Sequence, residues 1–431
     1  MELAPRGRNR AALVAPNLNH LDFVNLMTIR TQNAHLIKLK GITMKFKISI
    51  RFLFVAIILG CTSLVLILGI SNLTLDTTLE NPSQLSREDK IILQETKNLV
   101  DTLGSSVFPG FGEAKIPTIL YNSNYAFLAG SSDPADGWVK VPQGTIRGTA
   151  WEPVLDETLL DTPIYFQPLP DQNITPEAFT VRVGDEWVTS MQTYEWMRIS
   201  LVEVIQADLP SLIKPIFPYR FFTNQLVNGQ DQYISLIVHE RLHSYQGILA
   251  EGKFSQAELT NHEFQDQYPW QNEPLEDAWK AELILLSDAL KADNLETMNM
   301  LAKEFLTMRE ARRKQAGLTP ELIALEQQRE WLEGLARYAE LKIWKLASTA
   351  TYTPIPETAQ LLDFDDYQKF NSRWKAELNQ FSQMANDVGD GRFYYSGMAQ
   401  AYLLDQLMPD WKTQIFEEGV WLEELLAEAV Q

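Results

Sequence analysis

The pentapeptide His239-Glu240-Arg241-Leu242-His243 restricts what this chain can fold into more than any other part of its sequence. Histidines four residues apart lie on one face of an α-helix, about one turn from each other. Both imidazoles can therefore bind a single zinc ion, and the intervening glutamate can take a proton from a water molecule beside it. The pattern predicts a helix that carries the metal ligands His239 and His243 and the catalytic base Glu240.

A basic region and a long apolar stretch precede this helix. Residues 1–51 contain nine Lys or Arg and two Asp or Glu, and residues 52–70 carry no charge. A helix of that length spans roughly 28 Å, enough for a single transmembrane anchor or signal. The positive flank predicts a cytoplasmic N-terminus and an extracytoplasmic remainder. The sequence leaves open a start at Met1 or Met44 and cleavage of the segment, although the apolar run continues past Cys61, which favours a signal-anchor.

The remainder of the chain is strongly acidic. The total net charge is −19, so the part after residue 51 carries −26. Nucleic-acid binding requires a positive surface, and we therefore expect no nucleic-acid partner. The chain has one cysteine, Cys61, which excludes disulfides and cysteine-bound zinc from the exported part.

Alternation and turn residues predict strands before residue 190, whereas helical spacing dominates from about 192 onward. The predicted strands are Ile116–Tyr121, Ala126–Ala129, Pro163–Pro168, Phe179–Val183 and Glu186–Met191. The predicted organisation is a basic tail (1–51), a transmembrane segment (52–70), a linker (71–90), a sheet-containing part (91–227) and a helical zinc-site part (228–431). The predicted fold class is therefore α+β.

A second motif follows at 331–340, which reads W-L-E-G-L-A-R-Y-A-E on a predicted helix. Together with the histidine pair it resembles the gluzincins, the thermolysin-like zinc peptidases, and most closely the aminopeptidase N and leukotriene A4 hydrolase type. That group carries W-L-N-E-G-F-A-x-Y-x-E, in which the first glutamate binds zinc. The resemblance implies a thermolysin-like zinc-protease domain with Glu333 as third ligand, although one residue is missing before the glutamate. His262, the other histidine after the anchor, is interpreted as a surface residue.

The segment Tyr394-Tyr395-Ser396-Gly397 resembles the Y-x-x-G of the same family. There the tyrosine stabilises the oxyanion of the tetrahedral intermediate, and the resemblance assigns that role to Tyr394. Tyr395 would take it if the register differed by one residue.

Two departures from the family limit what the resemblance implies. The second histidine and the glutamate are separated by 18 residues in the family, whereas here a helical insertion (244–332) lies between them. It either covers the cleft as a lid or packs alongside. The G-x-M-E-N segment that binds a free amino end is absent, so aminopeptidase specificity is not implied.

The sequence thus predicts a membrane-anchored, extracytoplasmic zinc metallopeptidase that hydrolyses peptide or protein substrates with a metal-activated water. Two alternatives stay open. One is a catalytically inactive gluzincin-fold binding protein, and the other is a zinc hydrolase of a non-peptide substrate.

Overall fold

The computed structural model describes residues 62–431 apart from 64, 76, 143, 170–174, 177, 178, 228 and 350. The predicted basic tail and most of the predicted transmembrane segment lie outside these residues. Residues 65–73, which include the end of the apolar run, are helical. Within the described part of the chain, no helix is both long and apolar enough to span a bilayer.

Eight strands form one curled sheet, in the order β4-β3-β7-β8-β1-β2-β6-β5. The strands are β1 (Thr118–Tyr121), β2 (Tyr125–Ala129), β3 (Trp138–Lys140), β4 (Ile146–Arg147), β5 (Glu152–Leu159), β6 (Thr162–Pro168), β7 (Phe179–Val183) and β8 (Glu186–Gln192). Paired strands are antiparallel except β1 and β8, which run parallel. All five runs predicted as strands are present in this sheet, with bounds that differ by at most two residues.

Helices make up most of the rest of the molecule, which confirms the α+β class. They are α1 (Arg87–Val107), α2 (Tyr194–Asp208), α3 (Tyr219–Leu226), α4 (Gln230–Leu249), α5 (Glu251–Phe264), α6 (Glu273–Leu290), α7 (Leu295–Ala316), α8 (Pro320–Arg329), α9 (Leu335–Ala347), α10 (Phe370–Met384), α11 (Gly391–Leu407), α12 (Trp411–Gln414) and α13 (Leu422–Ala429). A π-helical segment, Glu330–Gly334, joins α8 to α9. Short 3-10 helices cover Lys214–Ile216, Gln265–Gln267 and Pro356–Gln360.

Helix α4, which contains the histidine pair, packs against β7 and β8 and against α9. Its apolar side chains Ile234, Ile237 and Leu242 are completely buried in the main core between the sheet and the helices. Helix α4 ends at Leu249, two residues after Gly247, near which the sequence predicts its end. The glycine is needed for close packing, since a Cβ atom there would lie 2.4 Å from the Trp187 ring.

The segment 244–332, predicted to be an insertion, contains α5 to α8 and packs into the helical body of the protein. Arg309 and Arg312 of α7 are almost fully buried, although charged side chains on a long helix normally face solvent. Arg309 donates two hydrogen bonds to Glu330, and Arg312 binds Glu282 and Glu326. These buried pairs place α7 alongside the segment that carries Glu333.

Candidate metal centre

Three side chains from two helical segments converge at one point. The Nε2 atoms of His239 and His243 each lie 3.4 Å from Oε2 of Glu333. One donor atom from each residue lies within 4.8 Å of the others, and all three side chains are buried. The structure therefore brings together the three ligands predicted from the sequence in a group that could bind a metal ion.

Helix α4 is held in place at both its start and its middle. Asp231 in its first turn accepts hydrogen bonds from the backbone N–H groups of Asp365 (2.9 Å) and Tyr367 (2.6 Å). Arg241, inside the motif, donates to the carbonyl oxygens of Ile116 (2.6 Å) and Ala114 (2.9 Å). These contacts fix the rotation of the helix, and therefore the direction in which both histidines point.

Glu333 lies in the π-helical segment Glu330–Gly334. In a π-helix the hydrogen-bonded backbone groups are five residues apart, instead of four as in an α-helix. This segment crosses α11 at very short range. A Cβ atom at Gly334 would come within 2.5 Å of Gly397 Cα, and one at Gly397 would come within 2.5 Å of the Glu330 carbonyl oxygen. Both glycines are thus required for the crossing that brings α11 up to the third ligand.

Each ligand is oriented by a second side chain behind it. Nδ1 of His239 faces Oε2 of Glu340 at 3.5 Å, and Nδ1 of His243 lies 3.0 Å from Oε1 of Gln246. The Gln246 amide oxygen accepts a hydrogen bond, so Nδ1 of His243 carries the proton and its Nε2 keeps a lone pair for a metal. Such outer partners are typical of metal sites, where they fix the ligand rings.

Glu333 is held by an arginine that binds three carboxylates. Arg329 Nη2 donates to Glu333 Oε1 (2.7 Å) and to Asp390 Oδ2 (2.6 Å), while its Nη1 donates to Glu258 Oε1 (3.0 Å). Burial alone would raise the pKa of Glu333, but Arg329 and then His243 hold it well below its usual range. The carboxylate is therefore ionised, as a metal ligand must be.

The charges around the site favour a cation. Burial alone would lower the pKa of His239, but the neighbouring carboxylates of Glu333 and Glu340 raise it to about 10. Burial would raise the pKa of Glu340, but Arg337 and then His239 lower it to about 2. In addition, Oε2 of Glu333 is buried without a hydrogen-bond partner among the described residues. An orphaned carboxylate oxygen next to two imidazole nitrogens is what a bound metal ion would satisfy.

Of the other residues predicted from the sequence, Glu240 and Tyr394 lie at the site, whereas Tyr395 and His262 do not. Glu240 is half-buried, and burial raises its pKa. Tyr394 is also half-buried, and its ring stacks on the His239 ring with centroids 5.7 Å apart. Tyr395 faces away from the site and its hydroxyl donates to Glu377 (2.7 Å). His262 is exposed on α5 and lies outside the ligand group.

Three supporting residues, Gln246, Arg329 and Glu340, are not among the site residues predicted from the sequence. Helical spacing offers a signal for each of them. Gln246 follows its histidine by three residues, Arg329 precedes Glu333 by four, and Glu340 follows Glu333 by seven. Gln246 and Arg329 therefore share a helix face with the ligands they support, His243 and Glu333, whereas Glu340 shares a face with Glu333 but supports His239 of another helix.

No family model, curated protein or solved structure matches the chain. The interpretation of the site therefore rests on its own residues and their geometry.

Proposed function

We propose that this protein is a zinc-dependent peptidase of the gluzincin type, with a thermolysin-like catalytic domain held on the extracytoplasmic side of a membrane by residues 52–70. The two 3.4 Å separations between the histidine nitrogens and Glu333 Oε2 carry the proposal. Donor atoms bound tetrahedrally to zinc at ~2.0–2.1 Å lie about 3.3–3.4 Å from each other. These two separations match those between zinc ligands, and three protein ligands would leave the fourth position open.

When bound, zinc would act as a Lewis acid that polarises a carbonyl and lowers the pKa of a water molecule toward ~7. Glu240 lies next to the first ligand in the sequence and is partly exposed, so its carboxylate can accept the proton of the attacking water. The same group then returns the proton to the leaving nitrogen of the cleaved peptide bond. The Tyr394 hydroxyl donates a hydrogen bond to the carbonyl oxygen as it becomes negative.

The burial pattern supports this division of roles. The three ligands are 3 to 5% exposed, whereas Glu240 and Tyr394 are half-buried. Groups that only hold a metal do not need access to the substrate, but a general base and an oxyanion donor do. The two residues that would contact the substrate are thus the more accessible ones.

Replacing Glu240 by glutamine in the full chain tests the proposal. The wild-type protein should contain zinc and cleave members of a peptide library, and cleavage should stop when a chelator removes the metal. Glu240→Gln keeps the size of the side chain but cannot accept a proton, so it should retain zinc and lose most cleavage, by a factor on the order of 10²–10⁴.

The exposed His262 provides a matched control for the ligands. His243→Ala should lose both zinc and activity, and His262→Ala should keep both. A wild-type protein without zinc would indicate a non-catalytic binding protein. Zinc binding without peptide cleavage, but with hydrolysis of esters or other carbonyl compounds, would indicate a different substrate class.

A further inference from the structure

The segment 209–222, between α2 and the middle of α3, exposes large apolar side chains to its surroundings. Leu212 is 88% exposed, Ile213 is 43% exposed and Phe221 is 56% exposed. Single exposed apolar residues are common on soluble proteins, but three within ten positions of one short segment indicate a contact surface.

This segment also differs from the rest of the acidic chain in its charge. From residue 209 to residue 230 there is no Asp or Glu, while Lys214 and Arg220 supply positive charge. The part of the chain after residue 51 has a net charge of −26, so a stretch of this length without Asp or Glu is unusual there. Apolar side chains mixed with basic ones are typical of surfaces that lie in the headgroup region of anionic membranes.

The residues that follow the apolar run are fastened to this same segment. Nδ2 of Asn72 donates to the carbonyl oxygens of Pro215 and Phe217, each at 2.9 Å. Arg220 donates to the Thr74 hydroxyl at 3.0 Å and also to its carbonyl oxygen. Leu75 packs against a small core beneath the segment, formed by residues that include Phe217. The end of the predicted anchor is therefore joined to the segment by several independent contacts.

We propose that Leu212, Ile213 and Phe221 insert into the extracytoplasmic leaflet beside the anchor, so that the domain touches the bilayer at a second place. The proposal rests on the proposed membrane anchor and is independent of the metal chemistry. Only one residue separates Ile70, the last residue of the apolar run, from Asn72, a distance of at most ~7 Å along the chain. A segment bonded directly to Asn72 must then lie at the membrane surface.

Two contacts on one face would hold the catalytic domain in a fixed orientation instead of letting it rotate on a linker. Interfacial side chains of this kind reach roughly 5–10 Å into the boundary between headgroups and acyl chains. A second copy of the protein is the other conceivable occupant, but it would have to bind in the space next to the anchor where the lipid lies.

Single-site fluorescence in vesicles tests the proposal. The full chain with Cys61→Ser and Leu212→Cys, or with Cys61→Ser and Phe221→Cys, is labelled with an environment-sensitive dye. It is then reconstituted into vesicles of phosphatidylcholine and phosphatidylglycerol. Leu155→Cys and Leu362→Cys in the same background are matched controls, because these leucines are 86% and 93% exposed but lie elsewhere. Dyes at 212 and 221 should shift to the blue and be quenched most strongly by a nitroxide on the upper acyl chain, whereas the control dyes should stay solvent-like.

Vesicle flotation separates the possible failures. If the chain floats with the vesicles but the dye at 212 behaves like the dye at 362, the membrane contact is refuted while the anchor stands. If the chain does not float, the membrane contact and the membrane anchor are both refuted. Zinc binding and peptide cleavage then still test the metal site separately. A blue shift that lipid-borne nitroxides do not quench, and that grows with protein concentration, would assign the surface to a second copy and would also overturn the proposal.

Discussion

Replacing Glu340 by glutamine should weaken zinc binding without removing any ligand. The Glu340 carboxylate lies 3.5 Å from Nδ1 of His239 and is completely buried. Its negative charge makes the imidazole a better donor to a metal, and loss of such an outer partner typically lowers metal affinity 10- to 100-fold. Glutamine still offers an oxygen to Nδ1, so we expect the lower end, about tenfold or ~1.4 kcal/mol.

Glu377→Gln is the matched control for this experiment. Arg337 donates at 2.6 Å to both Glu340 and Glu377, and both carboxylates are buried. Either substitution therefore removes one negative charge beside the same guanidinium and should cost about 1–3 kcal/mol in folding stability, with Glu377→Gln costing at least as much because Glu377 also binds Arg373 and Tyr395. Only Glu340 contacts the His239 ring, so only its substitution should change metal affinity.

The assay is competition for zinc between the protein and a chelator, with urea unfolding measured in parallel. We expect both variants to lose stability, with at least as large a loss for Glu377→Gln, and only Glu340→Gln to lose zinc affinity, by about tenfold. Equal zinc affinities for Glu340→Gln and Glu377→Gln would show that the carboxylate behind His239 does not tune the site.

Three further substitutions test other parts of the structure. Arg329→Met leaves three carboxylates without their common partner, so it should destabilise the fold by roughly 3–5 kcal/mol in urea unfolding and lower zinc affinity, with partial rescue by Arg329→Lys. Gly397→Ala forces a clash at the helix crossing and should cost about 1–3 kcal/mol in thermal unfolding, whereas Gly144→Ala, which has no neighbour within 4 Å, should cost little. Burial would raise the pKa of Glu423, but its arginine partners lower it to about 2. Its stabilising effect is therefore complete above the unfolded value of ~4.5 and is lost as the pH falls from there toward 2. Glu423→Gln should remove roughly 3 kcal/mol at pH 7 and flatten the acid limb of a stability–pH curve.

The ligand set could be predicted from the sequence because its chemistry requires particular residue types at particular spacings. Two histidines four residues apart on a helix have few other uses, and the likeness of the 331–340 motif to a known family pointed to Glu333. The strands could also be predicted from the sequence, because alternation and turn residues are local signals. The resemblance pointed to Tyr394 in preference to Tyr395, but helical spacing alone could not choose between them, since neighbouring residues on a helix point about 100° apart and the position of α11 decides which one faces the site.

The features that escaped prediction depend on contacts between distant segments. Helix α1 begins at Arg87, inside the predicted linker, and is capped by the Ser86 hydroxyl. Its buried face packs against α4 and α9, which the sequence around it does not reveal. The need for a glycine at 247 comes from the Trp187 ring packed against it, and the burial of Arg309 depends on Glu330 of a different segment.

The π-helical segment explains how a long insertion can coexist with an intact ligand set. Arg309 of the insertion binds both oxygens of Glu330 at the start of this segment, and Ser396 of α11 donates to the same carboxylate. Three residues later, Glu333 reaches the histidines. Gln246 connects the two ligand-bearing segments directly, since its Nε2 donates to the Trp331 carbonyl oxygen at 2.7 Å. The insertion is thus part of the support that holds the third ligand, so shortening it should disrupt the π-helical segment before it affects α4.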